Sequence, residues 1–91
     1  MSVRALTAVW DHSRARLADR LVLLAIADAV NHDGRGCWRG KETLARMAKV
    51  SRSTVTRSIA TLEELGELHV ERRPGRSSLY TVTLPGVGGP I

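Results

Sequence analysis

At Gly66 the spacing of apolar residues changes period, and this change restricts the fold more than any other feature of the chain. Before it, Val55, Ile59, Leu62 and Leu65 recur at intervals of four, three and three residues, which is one stripe along a helix. After it, Leu68 and Val70 alternate with His69 and Glu71, and Tyr80, Val82 and Leu84 alternate with Thr81 and Thr83, the two-residue period of strands. Gly66 stands where a left-handed cap ends a helix. Between the strands, Pro74 and Gly75 fit the two central positions of a type II turn. A helix followed by a hairpin is therefore expected, with Arg72, Arg73 and Arg76 at the hairpin tip.

The helix before Gly66 starts at Ser51, whose hydroxyl can cap the open amides of the first turn. Upstream, "GKETLARMAK" predicts a shorter helix over 40–49, with Leu44, Met47 and Ala48 inward. Further upstream, Asp11 and Ser13 are candidate N-caps of a helix that runs to the turn residues Asn31 to Gly36. Leu17, Leu21, Leu24, Ala25 and Asp28 follow helical spacing there, and Val22, Leu23, Ile26 and Val30 make the helix apolar around nearly all its circumference. Such a helix lies at the centre of its domain or in a dimer interface. "RALTAVW" fits a short N-terminal strand added to the hairpin or an extension of the first helix, with the strand favoured, and "PGVGGPI", 85–91, is expected as a frayed tail after a domain spanning 1–84.

With 91 residues the chain has room for one compact domain. It has two Trp, one Tyr and no Phe, so its core must be aliphatic. The net charge is +5, and twelve Arg stand against two Lys. Guanidinium forks suit phosphates and base edges, which makes an acidic partner, nucleic acid before membrane, the natural inference. The lone Cys37 fits a reducing compartment, and the longest apolar run, near Leu21 to Ala27, is far short of a membrane span. A cytoplasmic protein is expected.

The helix from Ser51 to Leu65 has an unusual division. With Val55, Ile59 and Leu62 inward, a turn of 100° per residue points Arg52, Ser53, Thr56 and Arg57 outward within its first two turns. Small hydroxyl residues let a helix approach a groove floor, and arginines reach guanine edges or phosphates. Glu63, Glu64, Glu67 and Glu71 fall at the far end of the helix and the base of the hairpin. On these residues, "ETLARMAKVSRSTVTRSIATLEELGELHVERRPGRSSLYTVT" resembles a winged helix-turn-helix DNA-binding domain of bacterial, plasmid or phage regulators and replication initiators. Leu44, Ala45, Val50, Ser51, Thr54, Val55 and Arg57 match the helix-turn-helix pattern, and "ELGELHVERRPGRSSLYTV" matches the strand, wing and strand that follow it.

The resemblance covers about Leu17 to Leu84 and implies a mainly α fold, three helices plus a small antiparallel β wing. It also implies that Ser51, Arg52, Ser53, Thr56 and Arg57 meet the major groove of double-stranded DNA while Arg72, Arg73, Arg76 and Ser77 hold the flanking backbone or minor groove. Lys49 departs from the pattern, since many members have a glycine there in a left-handed turn. Either Lys49 takes that conformation or the turn differs. The expected function is transcriptional regulation by site occupancy, with a homodimer on DNA; its surface would be the N-terminal strand or the apolar excess at Val22, Leu23 and Ile26. A replication, partition or excision factor would share every motif. A protein-interaction module, from another class, would treat the arginines as ordinary surface.

Other chemistry finds little support. His32 and Cys37 bracket "HDGRGC", but a structural metal needs four ligands and His12 and His69 are distant in sequence. Ser51, Ser53, Ser58 and His69 lack an elbow or an orienting third group, and no glycine spacing matches a phosphate-binding loop. No enzyme activity, cofactor or small-molecule ligand is expected, and Trp38 is expected to pack at the start of the second helix.

Overall fold

The computed structural model describes residues 3–31, 34–85 and 87. Among them the order is α1 (Val3–His12), α2 (Leu17–Ala27), α3 (Lys41–Ala48), α4 (Arg52–Glu64), β1 (Leu68–Glu71) and β2 (Leu79–Val82). The strands pair antiparallel with Leu68 opposite Val82 and Val70 opposite Tyr80. Leu68, Val70, Tyr80 and Val82 thus share the buried face, as the two-residue period requires. These helices and the hairpin behind them make a winged helix-turn-helix fold, with one more helix than the sequence suggested.

The extra helix corrects the N-terminal strand. In a strand Ala5, Thr7 and Val9 would share a face, whereas the buried residues of α1 are Ala5, Ala8 and Val9, spaced three and one apart. Alanine favours helix, and its small side chain lets α1 lie close against α2. Ser13 does not cap a helix starting beside it. Its Oγ accepts from the Ala15 amide at 3.0 Å within the short link, and α2 begins four residues later.

α2 occupies the centre and touches α1, α3, α4 and β2. Val22, Leu23 and Ile26 are fully buried there, so they form the core and not a dimer surface. α1 covers the side of α2 that would otherwise need an external partner. Leu17 and Leu21, by contrast, face solvent, and Met47 of α3 is exposed where an inward position was expected.

The turn between α3 and α4 and the end of α4 both use left-handed backbone. Lys49 adopts φ 59°, ψ 43°, the left-handed conformation that a glycine would accept more easily. Gly66, at φ +76°, closes α4: its amide donates to Glu63 O and the Glu67 amide to Leu62 O, both at 3.0 Å. Val87 is buried and its amide donates to Leu84 O, so the segment expected to fray begins packed. Residues 86 and 88–91 of that segment lie outside the described residues.

The loop before α3 completes the sheet. The Tyr80 amide donates to Cys37 O at 2.9 Å and the Val82 amide to Gly34 O at 2.7 Å, which places 34–37 along the free edge of β2. Gly36, at φ +98°, takes up the extra residue between these two bonds. Burial pushes the Cys37 thiol up from its ordinary value and does the same to the Tyr80 phenol beside it.

Candidate nucleic-acid interface

The exposed front of α4 is fixed from both sides. At its start, Ser51 Oγ accepts from the Thr54 amide at 3.1 Å. Beneath it, Val55, Ile59 and Leu62 are buried, and so is Ser58, whose Oγ donates to Asp19 of α2 at 2.6 Å. That bond ties the second turn of α4 to the central helix. Arg52, Ser53, Thr56 and Arg57 all remain exposed on the other side. Thr56 Oγ1 is turned back onto Arg52 O at 3.2 Å, which leaves a small, smooth surface between the two arginines.

Wing and helix meet at an open cleft of about 700 Å³ whose walls include Lys41, Glu42, Thr43, Arg52, Arg76 and Ser77. α3 starts at this cleft with Gly40 as its N-cap and no side chain bonded to its first-turn amides. Those amides and the positive end of the helix favour an anion, and Arg52 and Arg76 add charge from two other elements. Glu42 stands 4.0 Å from Arg52, but both side chains are well exposed, so the pair holds Arg52 weakly. Lys41 was not among the residues expected at the site. A cation in the first turn works against the helix dipole, and that was the available signal.

The wing arginines divide. Arg76 and Ser77 reach the cleft, while Arg72 and Arg73 do not line it. Arg72 makes a two-pronged pair with Glu63 at 2.9 and 3.3 Å, which joins the end of β1 to the last turn of α4. The Arg72 guanidinium holds the Glu63 carboxyl below the usual carboxylate range. Arg73 donates to Ser77 O at 2.9 Å and lies 5.8 Å from the centre of the Trp38 ring. Trp38 is 64% exposed, a support for the wing rather than the packed residue its position suggested.

Glu67 has a different role from the other acids. It is 3% exposed, accepts from Ser13 Oγ at 2.6 Å and from the Arg14 amide at 2.7 Å, and so anchors the α1–α2 link under the base of the wing. Arg14 in turn donates to Leu65 O at 2.9 Å, at the end of α4. Arg39 does the same for α2, bonding Ala25 O at 2.8 Å and Asp28 at 3.1 Å. Pairing across more than 50 residues, as between Ser13 and Glu67, leaves no trace in local spacing.

Cap, turn and exposed helix front thus match a helix-turn-helix in geometry, and a family model for the helix-turn-helix domain matches residues 16–67. The chain belongs to the helix-turn-helix domain family. No curated protein and no solved structure matches the chain. Membership of the helix-turn-helix family points to DNA as partner, and the matched span contains α2, α3, α4 and the Glu67 anchor. The wing, from Leu68 onward, lies beyond it. No helix among the described residues is long and apolar enough to cross a membrane.

Proposed function

We propose that this helix-turn-helix protein binds double-stranded DNA in a sequence-specific way, as a transcriptional regulator that acts by occupying its site. The observation that carries the reading is the front of α4. Arg52, Ser53, Thr56 and Arg57 share one exposed face on a helix whose opposite face is fully buried. Set in a major groove, that face brings two guanidinium groups to base edges and phosphates, with Ser53 and Thr56 close to the groove floor. The adjoining cleft suits one phosphodiester strand: its anion would meet the α3 amides, Lys41, Arg52 and Arg76.

Within the wing, Arg76 and Ser77 are the contacts to flanking backbone, and Arg73 supports them from Trp38. Arg72 joins them when Glu63 releases it. A homodimer on DNA fits the small footprint, since a single helix reads few base pairs and paired half-sites multiply specificity. A bacterial, plasmid or phage setting follows from the resemblance of the sequence, and so does the second reading, a replication, partition or excision factor that uses the same surface. No enzymatic role, metal or cofactor is part of the reading.

Selection of bound duplexes from a random pool tests it. Enrichment of one short motif, lost when Arg57 is replaced by Ala, is the expected result. A pool that binds without enriching any motif would contradict sequence-specific regulation, and a pool that does not bind would remove DNA as partner.

A further inference from the structure

We propose that the bond between Ser58 of α4 and Asp19 of α2 sets the rotation of α4 about its own axis, and so decides which bases Arg52 and Arg57 meet. The inference rests on the proposed function and adds to it a positioning pair that touches no DNA. Ser58 is 1% exposed, and its Oγ donates to Asp19 Oδ1 at 2.6 Å. It follows Arg57 directly in the chain, so a change at this bond is felt at once on the reading face.

The hydroxyls of α4 are used in two ways. Thr56 and Thr61 are exposed, and each donates to the carbonyl four residues back, Arg52 O at 3.2 Å and Arg57 O at 3.1 Å. That local bond is open to any helical serine as well. Ser58 instead reaches another helix, and among the described residues its bond is the one side-chain hydrogen bond that joins the first two turns of α4 to another element. The rest of what holds these turns from beneath is apolar, with Val55 and Ile59 buried. Apolar contact is not directional, whereas a short hydrogen bond to a carboxylate is. Rotation of α4 by about 10° would carry a side-chain tip at a radius of about 6 Å through about 1 Å, enough to misalign a two-pronged contact to a base edge.

Asp19 is itself held in place. It stands in the first turn of α2, where the positive end of the helix favours its carboxylate, and its amide donates to Arg16 O at 3.1 Å. The link just before α2 is fastened at Ser13 and Arg14 to Glu67, beyond the end of α4. The same end of α2 therefore holds α4 at its second turn through Ser58 and past its last turn through Glu67. Attachment at two points fixes the helix against both tilt and rotation.

The test compares affinity for two probes, a duplex enriched from the random pool and a random-sequence duplex of the same length, by fluorescence anisotropy. Ser58→Ala should keep the wild-type affinity and salt slope on random sequence, because every phosphate contact remains, and should lower the ratio of the two affinities about tenfold. Asp19→Asn keeps an acceptor for the Ser58 hydroxyl and should keep most of the ratio, whereas Asp19→Ala should lose as much of it as Ser58→Ala does. The double variant Ser58→Ala, Asp19→Ala should lose no more than either single one. A bond that merely stabilises the fold would lower the melting temperature and leave the ratio alone. A folded Ser58→Ala variant with the wild-type ratio, an equal loss on both probes, or an Asp19→Asn variant as impaired as Asp19→Ala would each overturn the assignment. A wild type that enriches no motif would instead remove the proposed function, and the positioning pair with it.

Discussion

The two ends of α4 solve opposite problems. Its first two turns present Arg52, Ser53, Thr56 and Arg57 to solvent, held by backbone capping and a weak 4.0 Å pair with Glu42. Its last turn and cap are joined to two other parts of the molecule, to the α1–α2 link through Leu65 O and Arg14, and to the hairpin through Glu63 and Arg72 and through Gly66 O and Thr83. The reading surface carries hydrogen bonds only within α4, from Thr56 to Arg52 O and from Arg57 to Thr54 Oγ1, while the end that sets its angle is fastened to other elements. The division that looked odd in the sequence, small and positive in front, leucine and glutamate behind, is this difference between reading and anchoring.

Substitutions at the two ends should accordingly change different quantities. The largest effect is expected at the anchor. Glu67→Ala removes two bonds to a buried carboxylate and should cost about 2 to 3 kcal/mol of stability by denaturant unfolding. A loss within the range of ordinary surface substitutions would mean that the link between the wing base and α1–α2 does not matter. At the reading end, Arg57→Ala should leave unfolding unchanged and cost about 1 to 3 kcal/mol of affinity on the preferred duplex. An equal loss on every sequence would make Arg57 a phosphate contact.

Lys49→Gly acts at the turn ahead of the reading end. Relief of its left-handed backbone should raise stability by about 0.5 to 1 kcal/mol, measured by thermal melting; a destabilised variant would show that the lysine side chain outweighs the strain. The smallest effect on stability is expected for Glu63→Gln, because the Arg72 guanidinium of the pair is exposed and solvent screens it. Glu63 titrates below its usual range when folded, so the pair contributes stability above the unfolded-state carboxylate value and loses it as pH falls through the lower folded one. The difference between wild type and variant should therefore be present at neutral pH and vanish in acid. On DNA the same variant frees Arg72 and should steepen the salt dependence by about one ion.

How much of this was legible in the sequence follows from the range of the interactions. Ser51, the Val55–Ile59–Leu62 stripe, Gly66 and Pro74-Gly75 act within a turn or two, and their types and spacing place α4, its cap and the hairpin directly. α1 was missed although its apolar residues have helical spacing, because a ten-residue segment holding the β-branched Val3, Thr7 and Val9 also suits a strand, and further evidence for it lies in the apolar circumference of α2, a different element. Arg72 was expected to be free because a linear reading places Glu63 nine residues away. The hairpin folds those nine residues back on themselves. Glu67 looked like one more surface acid for the same reason, since its partners Ser13 and Arg14 lie at the other end of the chain.

The central claim is that the front of α4 meets DNA. Fluorescence anisotropy with random-sequence duplex across a salt series, comparing wild type with the Arg52→Ala, Arg57→Ala double variant, tests it most directly. Each phosphate contact contributes roughly one unit to the slope of log affinity against log salt. Steep salt dependence in the wild type that flattens in the variant is the expected result. Binding that is absent, or equally insensitive to salt in both proteins, would contradict the claim and return the arginines to ordinary surface.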